Sequence, residues 1–116
     1  MENMTGKSGE KEIAHLLKRK GWKILTMNYR CRFGEIDVIA RDGGFLAFIE
    51  VKTREVGSLV SPWEAITPAK QRRLRATAED YLVRHPSSLQ PRFDAAAVYT
   101  KQGKIVKTEY LTNAFI

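Results

Sequence analysis

Apolar residues along this chain follow two periods. Ile13, Ala14 and Leu17, and later Leu74, Ala78, Tyr81 and Leu82, recur at three- and four-residue intervals, which places each set on one stripe of a helix. Ser8 stands where a capping side chain would start the first helix, and Gly21 follows its expected end at about Lys20. Thr67 and Pro68, a cap and then a proline at the first helical position, open the second, which should run to about Arg84. Elsewhere the period is two. Trp22, Ile24, Met27, Tyr29, Cys31 and Phe33 alternate with polar neighbours as in a strand, with an irregularity near Thr26. Residues 38–40 and 45–49 are nearly unbroken apolar runs rich in β-branched and aromatic types, the mark of strands covered on both faces. Residues 93–99 and 104–112 flank Lys101-Gln102-Gly103 and read as another hairpin, while 56–66 reads as a loop. The predicted order is α, β, β, β, α, β, β, one α/β domain over residues 8–116 after a loose leader over 1–7.

Charge breaks the apolar pattern in the central hairpin. Residues 33–54 carry Glu35, Asp37, Glu50 and Lys52 within otherwise apolar strands, so these charges sit in or beside a core. Alternation sends Glu50 and Lys52 the same way and gives Glu35 and Asp37 a shared face. If Gly43-Gly44 is a two-residue turn, Asp42 pairs with Phe45, Asp37 lies opposite Glu50 and Glu35 opposite Lys52. If the turn is Asp42-Gly43, Glu50 faces Glu35 and Asp37 is its diagonal neighbour. Either even-length loop brings all four to one face, whereas an odd loop without a bulge splits them.

Two carboxylates that close repel, and in a low dielectric one keeps its proton unless a cation intervenes. Oxygen donors from one or two carboxylates, with the remaining positions left to water and phosphate, suit Mg2+ (or Mn2+) rather than zinc. Lys52 adds an ammonium able to orient an attacking water or balance charge on a phosphate. Asp37, Glu50 and Lys52 together form a phosphodiester-cleaving arrangement; the plainer alternative is a strand end where three charges neutralise one another. Glu10 continues the apolar stripe of the first helix, and it either helps hold the metal or caps its own helix from the first turn. Gln71 falls on the apolar side of the second helix among Lys70, Arg72, Arg73 and Arg75. Cations so dense at a helix amino end make a phosphate-contact surface. Arg30 and Arg32 share the other face of the first strand, as on a solvated strand edge.

The chain has 116 residues, enough for one modest core, and a formal net charge of +7, which suits a polyanionic partner. No apolar run approaches the roughly 20 residues of a membrane span and residues 1–12 hold no hydrophobic signal core, so a cytoplasmic protein is expected. A lone Cys31 excludes an internal disulfide and a cysteine-rich zinc site, and neither His15 nor His85 has a companion at ligand spacing. Trp63 reads as a plug on the core and Asp94 as a structural acid.

The sequence resembles the YraN-like family of small bacterial proteins, grouped with the PD-(D/E)XK nucleases and near the Holliday-junction resolvases. Gly6-x-x-Gly9-Glu10, Arg32-Phe33-Gly34-Glu35-Ile36-Asp37, Glu50-Val51-Lys52-Thr53-Arg54, Thr67-Pro68-x-Lys70-Gln71-Arg72 and Asn113-Ala114-Phe115 carry the likeness from Gly6 to Phe115. It implies a restriction-endonuclease-like fold, a central mixed sheet flanked by helices. Asp37 and Glu50 then fall at the metal ligands, Lys52 at the superfamily's lysine, Glu10 at an auxiliary acid and Gln71 at a positioning polar residue. Ile36 stands where the superfamily's name has proline. The expectation is a metal-dependent endonuclease acting on nucleic acid, DNA rather than RNA, in structured or branched form. Lys70, Arg54, Arg72, Arg73 and Arg75 would hold the backbone, and a homodimer is implied by likeness to junction-cutting relatives. The alternative is a non-catalytic nucleic-acid-binding protein with the same fold and basic surface.

Overall fold

A computed structural model describes residues 6–115, and residues 1–5 of the expected leader lie outside the described residues. Helix α1 (Gly6–Arg19) already contains Ser8, so that serine is not its cap and the helix begins earlier than the cap signal implied. A short helix is held mainly by docking of its apolar stripe, and that docking outweighs one capping preference. Strands β1 (Lys23–Cys31), β2 (Gly34–Asp42) and β3 (Phe45–Glu55) follow, then a 3-10 turn (Pro62–Ala65), α2 (Pro68–Arg84), β4 (Gln90–Lys101) and β5 (Lys104–Leu111). The five strands lie in chain order in one sheet, and only β3 and β4 run parallel. A parallel pair needs a long crossover, which α2 supplies. This mixed α/β architecture agrees with the restriction-endonuclease-like expectation. Among the described residues no helix is long and apolar enough to cross a membrane.

The continuous apolar runs are explained by a helix on each face of the sheet. Ile13 and Leu17 of α1 pack on Val38, Ala40, Ala47, Ile49, Val51, Ala96 and Val98. Leu74, Ala78 and Tyr81 of α2 pack on Ile36, Ile39, Leu46 and Phe48 from the other side. Thr67 caps α2 as predicted, its hydroxyl accepting from the Lys70 N–H at 3.2 Å. Asp94 is structural too: fully buried, it binds Arg92, the Tyr110 hydroxyl and the Asn113 N–H. Trp63 is half-buried in the 3-10 turn and belongs to neither core cluster.

Register decides where the charges go. Asp42 pairs with Phe45, as the Gly43-Gly44 turn requires, and the ladder continues to Val38 opposite Ile49. Past that rung β3 stays paired with β4 to Glu55, while β2 leaves it. Asp37 sits where the two strands part, and its Oδ2 accepts the Val51 N–H at 2.7 Å in place of a backbone carbonyl. The face alternation of β2 also breaks there, because Ile36 joins the α2 cluster although Val38 and Ala40 belong to the α1 cluster. The charges stay close but have different helix neighbours: Glu35 and Asp37 lie beside Glu10 of α1, Glu50 lies beside Lys70 of α2, and Asp37 and Glu50 remain within side-chain reach of each other. β1 carries the irregularity anticipated near Thr26, a register shift between Ile24 and Thr26, and Asn28, in line with Asp37, has a φ of 53° with the register unchanged across it.

Gly9 lets α1 lie close on β3. A Cβ there would stand 2.5 Å from Thr53 Oγ1, well inside contact distance, and Thr53 is a stiff strand residue. Gly9→Ala should gain up to about 1 kcal/mol of helix propensity and lose about 1–3 kcal/mol to overpacking, a net destabilisation. Thr53→Ala, which removes a buried hydroxyl that has no partner, should relieve it. Urea midpoints of the two single variants and the double variant check this coupling.

Candidate functional site

Carboxylates from two elements converge where β2 and β3 part. α1 contributes Glu10, and β2 contributes Glu35 and Asp37; one oxygen of each lies within 4.8 Å of the others. Glu10 and Asp37 are buried and Glu35 is half-buried. The Asn28 amide ties two of them together, donating to Glu10 Oε1 at 2.6 Å and to Glu35 Oε1 at 3.4 Å. It reaches both because Asn28 takes the left-handed conformation, which asparagine tolerates better than most side chains. Arg30 Nε holds the far oxygen of Glu35 at 2.6 Å.

Glu50 borders this cluster from β3. Its presence, after burial itself, helps push the Asp37 carboxyl up to about 9, with the charge of Glu10 acting the same way. The Val51 N–H opposes the shift and does not overcome it. Burial and the neighbouring acids thus favour the protonated carboxyl, and the proton belongs to the Asp37–Glu50 pair rather than to one residue. Glu50 is only 4% exposed, and its Oε2 receives no hydrogen bond. Lys70 Nζ lies 3.0 Å from that oxygen, an electrostatic contact without hydrogen-bond geometry, so the buried oxygen is neutralised but not satisfied.

Glu10 and Asp37 lie together with Glu35, and Glu50 borders them. Lys52, two residues beyond Glu50, is half-buried and takes no hydrogen bond or ion pair among the described residues, which leaves its ammonium available. Gln71 is directed to the helix start instead: its Nε2 donates to the Ile66 carbonyl at 3.2 Å. Lys70 turns to Glu50, while Arg72 and Arg73 are exposed. Arg75 stacks at 5.8 Å from the Phe115 ring, and Arg54 donates to the Thr53 carbonyl. α2 has no acid in its first turn. Basic residues there oppose the helix dipole, so the basic end costs stability that an incoming anion restores. Sequence reasoning missed Asn28, the place of Glu35 in the cluster, and Lys70 as a neighbour of Glu50. Asn28 gave no signal of its own, being one of the polar neighbours with which Met27 and Tyr29 alternate. Arg30 on β1, an edge strand of the sheet, and Arg32 just past its end are exposed, as expected, and they border an open hollow with Tyr29, Asp80 and Arg84.

Clustered oxygen ligands at a strand parting, bordered by an ammonium and a basic helix start, define an α/β protein with a carboxylate site suited to hard cations. A profile of the uncharacterised protein family UPF0102 matches residues 9–98, and the chain belongs to that family, the YraN-like family of the sequence comparison. A UPF0102 protein of Symbiobacterium thermophilum is 43% identical over 116 residues, covering 99% of this chain and 98% of the relative. One of Lachnoclostridium phytofermentans is 41% identical over 111 residues, 94% of each chain, and one of Syntrophus aciditrophicus 46% identical over 98 residues, 84% of this chain and 77% of its own.

The raised Asp37 pKa makes a signed prediction. Below the ordinary value of 3.8 the carboxyl is protonated folded or unfolded and changes nothing; above it the unfolded chain ionises while the folded one holds its proton up to about 9, so stability drains away through that window. Asp37→Asn keeps an acceptor for the Val51 N–H and cannot ionise. In EDTA its Tm should exceed that of the wild type by a margin that is small near pH 4 and widens toward pH 9, read by thermal melts across pH. A constant margin would remove the strained carboxyl.

Proposed function

We propose that this protein is a divalent-metal-dependent endonuclease acting on nucleic acid, DNA rather than RNA, in the cytoplasm, with structured or branched strands as the substrate class. The observation that carries the reading is the crowding of Glu10, Glu35 and Asp37, one oxygen of each within 4.8 Å, beside a buried Glu50 oxygen without a donor. Such an arrangement costs the folded state free energy unless a cation shares it. All the available donors are carboxylate oxygens, which fits Mg2+ or Mn2+ and not a thiolate- or imidazole-seeking ion.

Asp37 and Glu50 would hold the cation, with Glu10 and Glu35 as further donors. Bound there, it supplies Lewis acidity toward a phosphate oxygen and toward water. The chain's own residues supply the rest. Lys52 donates from β3 toward the attacking water or the phosphate, at a place where its charge is not consumed by a partner. Asn28 keeps Glu10 and Glu35 pointed inward. Arg72 and Arg73, exposed on the first turns of α2, hold flanking phosphates, which also makes binding salt-dependent.

Nuclease assays on duplex, flapped, four-way and single-stranded DNA and on matching RNA test the reading. Cleavage of a structured DNA should require Mg2+ or Mn2+, vanish in EDTA, and fall by roughly 10²–10³-fold in Lys52→Ala. The same ions should raise the Tm of the wild type and not that of Asp37→Ala. A non-catalytic binder, favoured by the Lys70–Glu50 pair that already neutralises one acid, would show steeply salt-dependent binding and no cleavage in any ion.

A further inference from the structure

The pairing of Lys70 with Glu50 has a use that a phosphate-contacting lysine would not. We infer that Lys70 is the resident counter-ion of the site: its ammonium occupies the electrostatic place of the divalent cation beside Glu50 when no metal is bound, and is released toward substrate phosphate when one is. The inference rests on the metal-dependent reading above.

Three observations support it. Lys70 Nζ stands 3.0 Å from Glu50 Oε2, a buried oxygen that receives no hydrogen bond, so the contact is one of charge and leaves a donor position unfilled. Glu50 is 4% exposed, and a purely structural partner for so buried a carboxylate would be expected to have good hydrogen-bond geometry, because its desolvation is otherwise poorly offset; Lys70, 28% exposed, keeps a path to solvent. Second, Lys70 is carried on the capped start of α2, where the Thr67 hydroxyl and the Gln71 side chain fix the backbone, so the ammonium moves on a flexible stem above a rigid base. Third, its neighbours along the helix, Arg72 and Arg73, are exposed at the start of α2, so a freed Lys70 joins a surface already cationic.

An ammonium and a dication beside one carboxylate repel, so Lys70 lowers the affinity of the site for metal when nucleic acid is absent. Phosphate then draws Lys70 away and lifts that penalty. Metal and nucleic acid thereby bind with positive coupling, each raising the affinity for the other by the same factor. The acids are kept neutralised at rest without being permanently occupied.

The test uses the full chain at pH 8, stripped with EDTA and dialysed, with Ca2+ affinity measured by calorimetry in the presence and absence of a short DNA duplex. Lys70→Gln removes the charge and retains an amide that can donate to Glu50; Lys70→Arg retains the charge. Without DNA, Lys70→Gln should bind Ca2+ at least about fivefold more tightly than the wild type, and Lys70→Arg within about twofold of it. The duplex should raise Ca2+ affinity in the wild type and much less in Lys70→Gln. Unchanged or weaker Ca2+ binding by Lys70→Gln overturns the counter-ion role while wild-type binding keeps the metal site. A duplex effect of equal size in both proteins overturns the release of Lys70 to phosphate. No Ca2+ binding by the wild type removes the metal site and this inference with it.

Discussion

Repulsion between carboxylates confined to a notch in the sheet is the constraint around which the molecule is arranged. Glu10, Glu35 and Asp37 place oxygens within 4.8 Å of one another, and Glu50 adds a fourth acid at their border. Folding would separate such groups if separation were available. It is not, because each is fixed by an element with its own reason to be where it is: α1 by its apolar stripe, β2 by its ladder to β3, and β3 by its place at the centre of the sheet. The repulsion is instead absorbed locally by a proton on Asp37, an amide from Asn28, and guanidinium and ammonium groups from Arg30 and Lys70.

Three of these devices, the proton and the groups of Arg30 and Lys70, are provisional in the chemical sense. A proton, a lysine and an arginine can all be exchanged for another positive charge without rebuilding the backbone. The backbone itself is not provisional: Val51 N–H on Asp37, the close approach of Gly9 to Thr53 and the left-handed Asn28 hold the acids in position. Pre-organisation of this kind is what a metal-assisted hydrolytic site needs, since donors that are already placed need no reordering when the charge arrives. Its cost is stability, and strained or unsatisfied groups of this sort gather at functional sites.

The two sides of the site are served by different helices. α1 brings an acid to the cluster, and α2 brings cations around it, with a first turn that holds Lys70 and no acid. A polyanion is repelled by the first and drawn by the second, so the two sides of the site carry opposite electrostatic character. Membership in UPF0102 fixes the family and leaves the substrate to experiment.

Much of this was legible in the residues themselves. Periodicity located both helices and all five strands, because burial of one stripe or of both faces leaves its period in the pattern of apolar residues. Glycine and proline chemistry gave the Thr67-Pro68 helix start and narrowed the hairpin to a Gly43-Gly44 or an Asp42-Gly43 turn; the packed sheet takes the first, and with it the register that puts Asp37 at the end of the β2–β3 ladder. Other features had no local signature. The change of face at Asp37 and the left-handed Asn28 arise where β2 leaves β3 while staying beside β1. Lys70 finds Glu50 only once α2 has crossed the sheet to make β3 and β4 parallel. Short-range sterics and hydrophobic period act within a few residues and so are written in the sequence. Which charge answers which depends on distances between segments 18 or 20 residues apart, and those exist only after the chain has packed.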